Sequence, residues 1–426
     1  MTAPPPPSPP SPDGEGAAGR ALRTPAFRRF YVGAFLSNIG TWMQNVVLGA
    51  LAYDLTGSST FVGIIVFAQL GPMLVLAIVG GALVDIVDRR KLLGGVAAVQ
   101  LVLSLALAAV AAPDEPNLAL LVAVVFALGV AQAIYLPAYA ALLPQLVGPR
   151  DLPGAISLNS VQMNASRVIG PVIGAGLDTV FGASAVFGAN AVSYLFVIAA
   201  VLTVPLPRPP ARERGEPVLR HVLDGLQMAR RDQVVRRCLV TITTFSLVSL
   251  TFVGQFPVIA ERNLGIDERS PAYGALYACL GLGGVLGALA VGTVLAGRRM
   301  TRVVRATLPA FAAVLTGFAL VRDPAPAYAL ALALGLTYFG FITSLSTVLQ
   351  ERVGNEQRGR VTALWLMGFG GTVPVGNLLA GPVIEATSPT AVLLVGAVAS
   401  LALAVYARLD APPETAAGTA TAPRAA

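Results

Sequence analysis

The sequence predicts an all-α membrane protein of twelve transmembrane helices, arranged as two pseudo-symmetric six-helix bundles. Composition, the spacing of apolar segments and the distribution of basic residues lead to this prediction. Hydrophobic residues make up 55% of the 426 residues and charged residues only 12%, and the mean hydropathy is +0.73. A soluble protein needs roughly a quarter of its residues charged to cover its surface. Most of this surface must therefore face lipid.

Apolar segments of the required length recur along the whole chain. A helix crosses the ~30 Å hydrocarbon core with about 20 apolar residues. The segments that meet this length are residues 30–53, 61–84, 92–111, 118–140, 154–177, 183–204, 238–259, 272–296, 303–321, 326–348, 361–384 and 389–408. A polar stretch separates the first six from the last six, which predicts two bundles.

The polar stretches define the domain organisation. The predicted parts are a disordered N-terminal tail (1–26), a first bundle (27–205), a central cytoplasmic loop (206–235), a second bundle (236–409) and a disordered C-terminal tail (410–426). Both tails are rich in proline or alanine and have little apolar content to bury. From Val218 the central loop has helical spacing, which predicts a helix at the membrane interface.

Basic residues predict the orientation, because loops rich in Lys and Arg remain in the cytoplasm. With the N-terminus inside, nearly all of the 29 basic residues fall on the inner side. Only Arg262, Arg269 and Arg322 lie outside, and Arg167 lies within a helix. Both termini are therefore expected in the cytoplasm.

Composition also excludes several classes of function. The net charge of +7 would suggest a nucleic-acid partner in a soluble protein, but here the charges lie between apolar runs and serve orientation. Cys238 and Cys279 lie within apolar segments, and His221 is the only histidine. We therefore expect no disulfide framework, no metal site, no cofactor and no nucleic acid.

The two halves share a repeat. Residues 143–150 match residues 349–356 at an offset of 206, and the same offset carries Gly170 onto Gly376. Each stretch precedes the fifth helix of its half. Internal duplications of this kind are common in transporters, which bind substrate between the repeats.

The most specific motif covers residues 81–91, in the predicted inner loop after the second helix. It resembles the signature of the major facilitator superfamily, Gly-x-x-x-Asp-Arg-x-Gly-Arg-Arg, except that Ile86 and Asp88 replace the usual Arg and Gly. The resemblance implies the major facilitator fold, with a conformational switch in which Asp85 binds the free amides at the start of the eleventh helix. The expected switch residues are Gly81, Asp85, Asp88, Arg89, Arg90, Arg358 and Arg360. The alternative is a loop that is merely basic.

Further stretches resemble the enterobactin-exporter and macrolide-efflux branch of this superfamily. They are Trp42 and residues 53–58, 85–93, 143–159, 167–171 and 358–361. The resemblance covers residues 27–405 and implies export of amphipathic small molecules.

Helix 5 carries Gly170, Pro171 and Gly174. Proline kinks a helix, and glycine permits close packing. The pair resembles the antiporter motif of exporters, although Ala175 stands where a second glycine is common. A purely structural kink is the alternative.

Arg167 is a basic residue deep in helix 5, about 20 Å from the inner end. An unpaired cation is costly at this depth. One interpretation is an anion-binding or coupling residue in a central cavity. The other is a structural pair with a carboxylate such as Asp178 or with a helix-terminal carbonyl.

Other polar residues within helices are candidates for the same cavity. Asn38, Trp42 and Asn45 share one face of helix 1, and Asn164 lies one turn from Arg167. Weaker candidates are Gln69, Gln132, Tyr135, Gln255 and Asn377. Each could instead form hydrogen bonds between helices.

The glycine run at residues 281–287 superficially suggests a dinucleotide-binding loop. Its spacing differs from that motif, and it lies within a predicted span. It therefore predicts close packing of helix 8 through Gly283 and Gly287.

Energy for transport is expected from an ion gradient, because the sequence has no P-loop. Protons are the default for the resembled family. Asp54, Asp178, Glu261 and Glu385 map to outer helix ends, so either Asp54 or Arg167 is the candidate coupling residue.

These expectations define a monomeric secondary transporter in the bacterial cytoplasmic membrane. Its expected partners are a small molecule such as a drug, natural product or siderophore, protons, and the lipid bilayer. It is expected to export its substrate by proton antiport with alternating access. An importer of the same fold and a non-transporting sensor are the alternatives, and no enzyme activity is expected.

Overall fold

The chain is described by a computed structural model over residues 16–76, 83, 87–204, 227–230, 232–354, 357–407 and 409. The long helices are α1 (Pro25–Thr56), α2 (Ser59–Leu76), α3 (Arg89–Val110), α4 (Leu118–Leu142), α5 and α6 (the two parts of Leu152–Thr203), α7 (Gln233–Thr244, Phe245–Ser249, Thr251–Gly254 and Phe256–Leu264), α8 (Pro271–Gly292), α9 (Met300–Leu320), α10 (Pro324–Arg352), α11 (Arg358–Gly370 and Thr372–Ala386) and α12 (Pro389–Tyr406). The described residues confirm the all-α fold class.

Ten helices in the described ranges are long and apolar enough to cross a membrane. One of them, Leu152–Thr203, contains the non-helical Gly182 (φ 79°, ψ 167°), which divides it into α5 and α6. Glycine adopts this positive φ without the steric cost of a Cβ. The 32-residue α1 is a further long helix beyond those ten. The arrangement is consistent with the twelve spans that the sequence predicts.

The region predicted as a disordered N-terminal tail contains a short helix, Ala17–Arg23. Ala21 is fully buried, and Arg20 Nε lies 2.8 Å from Asp151 Oδ1 at the start of α5. The prediction missed this helix because its anchoring contacts are distant in sequence. Residues 1–15, most of the central loop with His221, and the C-terminal tail from residue 410 lie outside the described residues.

The helices form two bundles, α1–α6 and α7–α12. In the first, α1 and α3 pack along α5 and α6, and in the second, α10 packs against α8 and α9. The bundles meet where α5 contacts α8 and where α2 contacts α11. We call the end where α1 meets α2 the outer end, after the predicted orientation. Val258, Ala380 and Ile384 of the second bundle share a buried core with α1 and α2.

The two bundles repeat the same close helix contacts. A Cβ added to Gly170 of α5 would lie 2.5 Å from the Trp42 Cβ of α1, and one added to Gly376 of α11 would meet the Leu247 carbonyl of α7. Because α1 and α7 are each the first helix of their bundle, the predicted correspondence of Gly170 with Gly376 is confirmed in space.

The glycine run of α8 is a packing surface, as predicted. Cβ atoms added to Gly283 and Gly287 would collide with the carbonyl oxygens of Leu332 and Leu336 on α10. These glycines therefore let the two helix backbones come into contact, which is the small-residue packing typical of membrane helices.

We predict that Gly283→Ala lowers the free energy of unfolding by about 1–3 kcal/mol, because the added methyl group overpacks the α8–α10 contact. Gly188→Ala is the matched control, since a Cβ at Gly188 meets nothing within 4 Å and alanine favours the helix. Thermal unfolding in detergent measures both. Equal melting temperatures for the two variants would contradict the assigned packing.

Candidate functional site

The Arg167 side chain lies midway along α5 and between the two bundles. Its guanidinium carbon is 5.1 Å from the ring centroid of Trp42 on α1 and 4.8 Å from that of Phe339 on α10. Aromatic faces attract cations at such distances. Trp42 and Phe339 belong to different bundles, so both bundles contribute to the surroundings of this cation.

Within the described residues, no carboxylate pairs with Arg167. Its Nε is buried without a hydrogen-bond partner, and Asp178, the partner that the sequence suggested, pairs with Arg269 instead. The titratable side chains near Arg167 are Tyr338 and Tyr277, both in the second bundle. These contacts argue against the pair of Arg167 with Asp178 that the sequence suggested.

The predicted kink region of α5, with Gly170, Pro171 and Gly174, packs closely against the neighbouring helices. A Cβ at Gly174 would lie 3.0 Å from Met43 Cα on α1, and one at Gly274 of α8 would lie 2.9 Å from the Pro171 carbonyl oxygen. Gly170 contacts α1 directly beside Trp42. The predicted kink region therefore packs on both α1 and α8 at the level of Arg167.

The polar face of α1 is partly buried at Asn38, Trp42 and Asn45. Asn45 accepts a hydrogen bond from Gln69 Nε2 of α2 at 2.6 Å. The structure brings Asn45 and Gln69 together as a pair within the first bundle, whereas Trp42 contacts Arg167.

Three other predicted cavity residues have partners inside the first bundle. Gln132 accepts a hydrogen bond from Gln100 of α3 at 2.7 Å, and Tyr135 stacks on Tyr139 with centroids 6.1 Å apart. Asn164 donates to the Ser160 carbonyl at 2.8 Å. These contacts join or stabilise helices and do not include Arg167.

Asn377 is fully buried at the contact between α2 and α11. It donates to the Val373 carbonyl at 3.0 Å, and Gln255 of α7 donates to the carbonyls of Ser59 and Asn377 at 3.1 and 3.4 Å. Asn377 and Gln255 therefore belong to the interface between the bundles, away from the Trp42–Arg167 contact.

Arg269, in the loop between α7 and α8, holds the outer ends of the bundles together. Its guanidinium lies 3.0 Å from Asp54 Oδ2 on α1 and 3.1 Å from Asp178 Oδ1 on α5. Its carbonyl oxygen also accepts a hydrogen bond from Thr179 at 2.9 Å, and hydrogen bonding to Asp178 raises the pKa of Arg269. We call Arg269, Asp54 and Asp178 the outer latch.

A second set of contacts closes the outer end between α2 and α11. Glu385 accepts hydrogen bonds from the Ser58 hydroxyl and, at 3.0 Å, from the Thr60 amide. Ser59 donates to the Gly381 carbonyl at 2.8 Å. Arg262 of α7 donates to the Tyr53 hydroxyl at 3.0 Å. Both interfaces between the bundles are thus tied at this end.

An acidic depression of about 740 Å³ lies beside the outer latch. It is lined by Asp54, Glu261, Gly265, Asp267, Glu268 and Arg269. Burial, followed by repulsion from Glu261, Asp267 and Asp54, raises the pKa of Glu268 to about 7. Sequence reasoning missed Glu268 and Arg269. The rarity of outer arginines was a signal for Arg269, but nothing marked Glu268 before the loop was folded.

The motif at residues 81–91, which we call the inner motif together with Arg358 and Arg360, lies partly within the described residues. Asp88 caps the N-terminus of α3 by accepting from the amides of Arg90 and Lys91 at 2.9 and 3.1 Å. Arg89 and Arg90 donate to carbonyls at the ends of α4 and α6. Gly81 and Asp85 lie outside the described residues, and Arg358 and Arg360 begin α11. The described contacts tie the start of α3 to its own bundle.

Two helical bundles that pack against each other and are tied together at one end are an architecture typical of membrane transporters. The chain belongs to the transmembrane secretion effector family of the major facilitator superfamily, whose profile matches residues 17–424. This family consists of membrane transporters rather than enzymes.

Curated relatives and solved structures agree with this assignment. The staphyloferrin A transporter of Staphylococcus aureus (strain NCTC 8325 / PS 47) is 26% identical over 359 residues, which are 82% of this chain and 87% of the relative. Enterobactin exporter EntS of Shigella boydii serotype 4 (strain Sb227) is 26% identical over 353 residues, 80% of this chain and 81% of the relative.

The fold has close structural counterparts. A mutant of the nucleoside transporter NupG has a TM-score of 0.73 at 14% identity, covering 90% of this chain and 99% of that one. An inward-facing, unoccupied bacterial homolog of the human lysosomal transporter Spinster has a TM-score of 0.64 at 13% identity, covering 92% and 95%. These two matches support the fold alone.

We predict that Arg269→Gln separates the outer ends, because it leaves Asp178, which is 3% exposed, charged and unpaired. The free energy of unfolding should fall by about 1–2 kcal/mol. This loss is smaller than for a fully buried ion pair, because the Arg269 side chain is 36% exposed. Spin labels at Glu115→Cys and Ala325→Cys, in a chain lacking Cys238 and Cys279, measure the separation. Arg322→Gln, another outer arginine, is the control. An unchanged distance distribution in Arg269→Gln would contradict the latch.

Proposed function

We propose that this protein exports amphipathic small molecules across the bacterial cytoplasmic membrane by alternating access. The observation that carries the proposal is the Arg167 site, which takes Trp42 from one bundle and Phe339 from the other. A site built from both bundles changes its exposure when they rock against each other. The exporter named among the relatives supports the outward direction.

The inner motif is the proposed conformational switch of this cycle. Its residues are Gly81, Asp85, Asp88, Arg89, Arg90, Arg358 and Arg360. Gly170, Pro171 and Gly174 would let α5 bend beside Trp42 during rocking. The cavity proposed around Arg167 includes Trp42 and Asn38, whereas the hydrogen bonds of Asn45, Gln69, Gln132, Asn164 and Asn377 support structural roles.

We propose that a proton gradient supplies the energy through proton antiport, with Asp54 as the coupling residue. Asp54 pairs with Arg269 across the two bundles. A proton arriving from outside removes the charge of Asp54 and weakens this pair, which links protonation to the position of the bundles. Arg167 remains cationic throughout, since guanidinium groups are not deprotonated in proteins. Arg167 would therefore contribute to transport through its positive charge and not by carrying a proton.

Transport in inside-out vesicles tests this proposal. We expect an imposed pH gradient to drive accumulation of an amphipathic dye, and its collapse to abolish accumulation. Asp54→Asn should exchange dye down its gradient without responding to the pH gradient, because the proton-sensitive charge is gone. Asp114→Asn, an exposed carboxylate in the loop after α3, is the control.

Three outcomes would contradict parts of this proposal. Accumulation only in right-side-out vesicles would indicate an importer. Accumulation that is insensitive to the pH gradient would exclude proton antiport. A normal gradient response in Asp54→Asn would exclude Asp54 as the coupling residue.

We predict that the stability of the folded protein decreases as the pH rises through about 7, because of Glu268. Its folded pKa of about 7 lies above the ordinary value of ~4.3, so the folded state holds this proton more tightly. The resulting stabilisation is complete below about pH 4 and is lost as the pH passes the folded value. Melting temperatures from about pH 5 to about pH 8 measure it. Glu268→Gln should flatten this part of the profile, and an unchanged slope would contradict the assignment.

A further inference from the structure

Arg167 carries a charge that the described protein does not neutralise. Asp178, the carboxylate that the sequence suggested as its partner, is already bound by Arg269 at two positions, 3.1 and 3.4 Å away. No ion pair or hydrogen bond of Arg167 is found among the described residues, and its Nε is buried. A cation in the middle of a membrane protein is stabilised by a counter-charge or by a water-filled cavity. Among the described residues, the contacts found for this guanidinium are with aromatic faces.

Four aromatic side chains lie around Arg167. Trp42 and Phe339 lie against the guanidinium, and Tyr338 packs edge-to-face with Phe339, with ring centroids 4.5 Å apart. Tyr277 completes the set from α8. Aromatic faces offset part of the cost of burying the cation, but they accept no N–H hydrogen bonds of normal strength. The guanidinium donors therefore remain available to a ligand.

The complementary ligand has an anionic group next to a flat apolar body. A guanidinium binds carboxylate-like oxygens with two parallel N–H donors, and it is less strongly hydrated than an ammonium group. Trp42, Phe339 and Tyr338 offer aromatic surface next to the cation for such a body. We propose that Arg167 and these rings form the substrate site for aromatic anions, such as molecules bearing a carboxylate or phenolate. This inference rests on the proposed transport function and specifies its substrate class.

The same geometry links binding to the transport cycle. The cation is held by Trp42 from the first bundle and Phe339 from the second. When the bundles rock, one of these rings must move away from Arg167, so the site is complete in some states and incomplete in others. Binding an anion there therefore favours the state in which both rings are present.

Binding to detergent-solubilised protein tests the inference without any gradient. The chain has two tryptophans, so Trp365→Phe leaves Trp42 as the only tryptophan donor for energy transfer to a coumarin. The probes are coumarin-3-carboxylate and its neutral carboxamide, which share one ring system. We expect the carboxylate to bind about tenfold more tightly or better, the value of a charge-assisted hydrogen bond.

Variants of Arg167 assign this preference to the guanidinium. In Arg167→Gln, the carboxylate and the carboxamide should bind equally weakly. Arg167→Lys should keep a reduced preference, because the charge remains and the planar fork is lost, so it tests the site even if Arg167→Gln fails to fold. Arg322→Gln is the control and should bind as the parent does. Gel filtration and melting temperature verify each fold.

Each remaining outcome overturns one identified claim. Equal binding of both probes by the parent chain, no binding of either, or a preference that survives in Arg167→Gln would overturn the aromatic-anion site. An intact, Arg167-dependent preference without transport in vesicles would instead overturn the proposed export function and leave the site standing.

Discussion

The close contact between α5 and α8 positions both Arg167 in the centre of the protein and Arg269 at its outer end. Gly281 brings the α8 backbone against the carbonyl of Arg167, and Gly274 does the same at Pro171. A larger residue at either glycine would push the bundles apart. Because this contact exists, Arg167 reaches Phe339 across the interface, and the loop that precedes α8 delivers Arg269 to Asp54 and Asp178.

Charged residues are scarce within the helices of this protein, and two of them, Asp178 and Arg167, have different surroundings. Asp178 is neutralised by Arg269 at the outer end, where water can reach one side of the pair. Arg167 lies deeper and has rings in place of a carboxylate. The first arrangement stabilises a closed end, and the second leaves a cation without a counter-charge among the described residues. Membrane proteins retain ionisable groups at depth chiefly for function.

Much of the fold could be predicted from sequence because lipid imposes simple rules. The lengths of the apolar segments and the basic loops predicted the helices. The repeat at an offset of 206 residues predicted that Gly170 and Gly376 occupy equivalent positions in the two bundles. The site was less accessible. Arg167 was recognisable as an isolated cation, but its partners Trp42 and Phe339 lie on distant segments, and pairing with Asp178 was an equally reasonable hypothesis. The raised pKa of Glu268 comes first from burial and then from the proximity of Glu261, Asp267 and Asp54, and its burial depends on how the loop folds.

Locking the outer ends tests the central claim, that transport requires them to separate. Ser58→Cys and Glu385→Cys, introduced together in a chain lacking Cys238 and Cys279, place two thiols across the α2–α11 contact. A short, reducible thiol cross-linker should abolish transport, a reducing agent should restore it, and each single-cysteine chain should be unaffected. Full transport by the cross-linked protein would contradict alternating access through this interface.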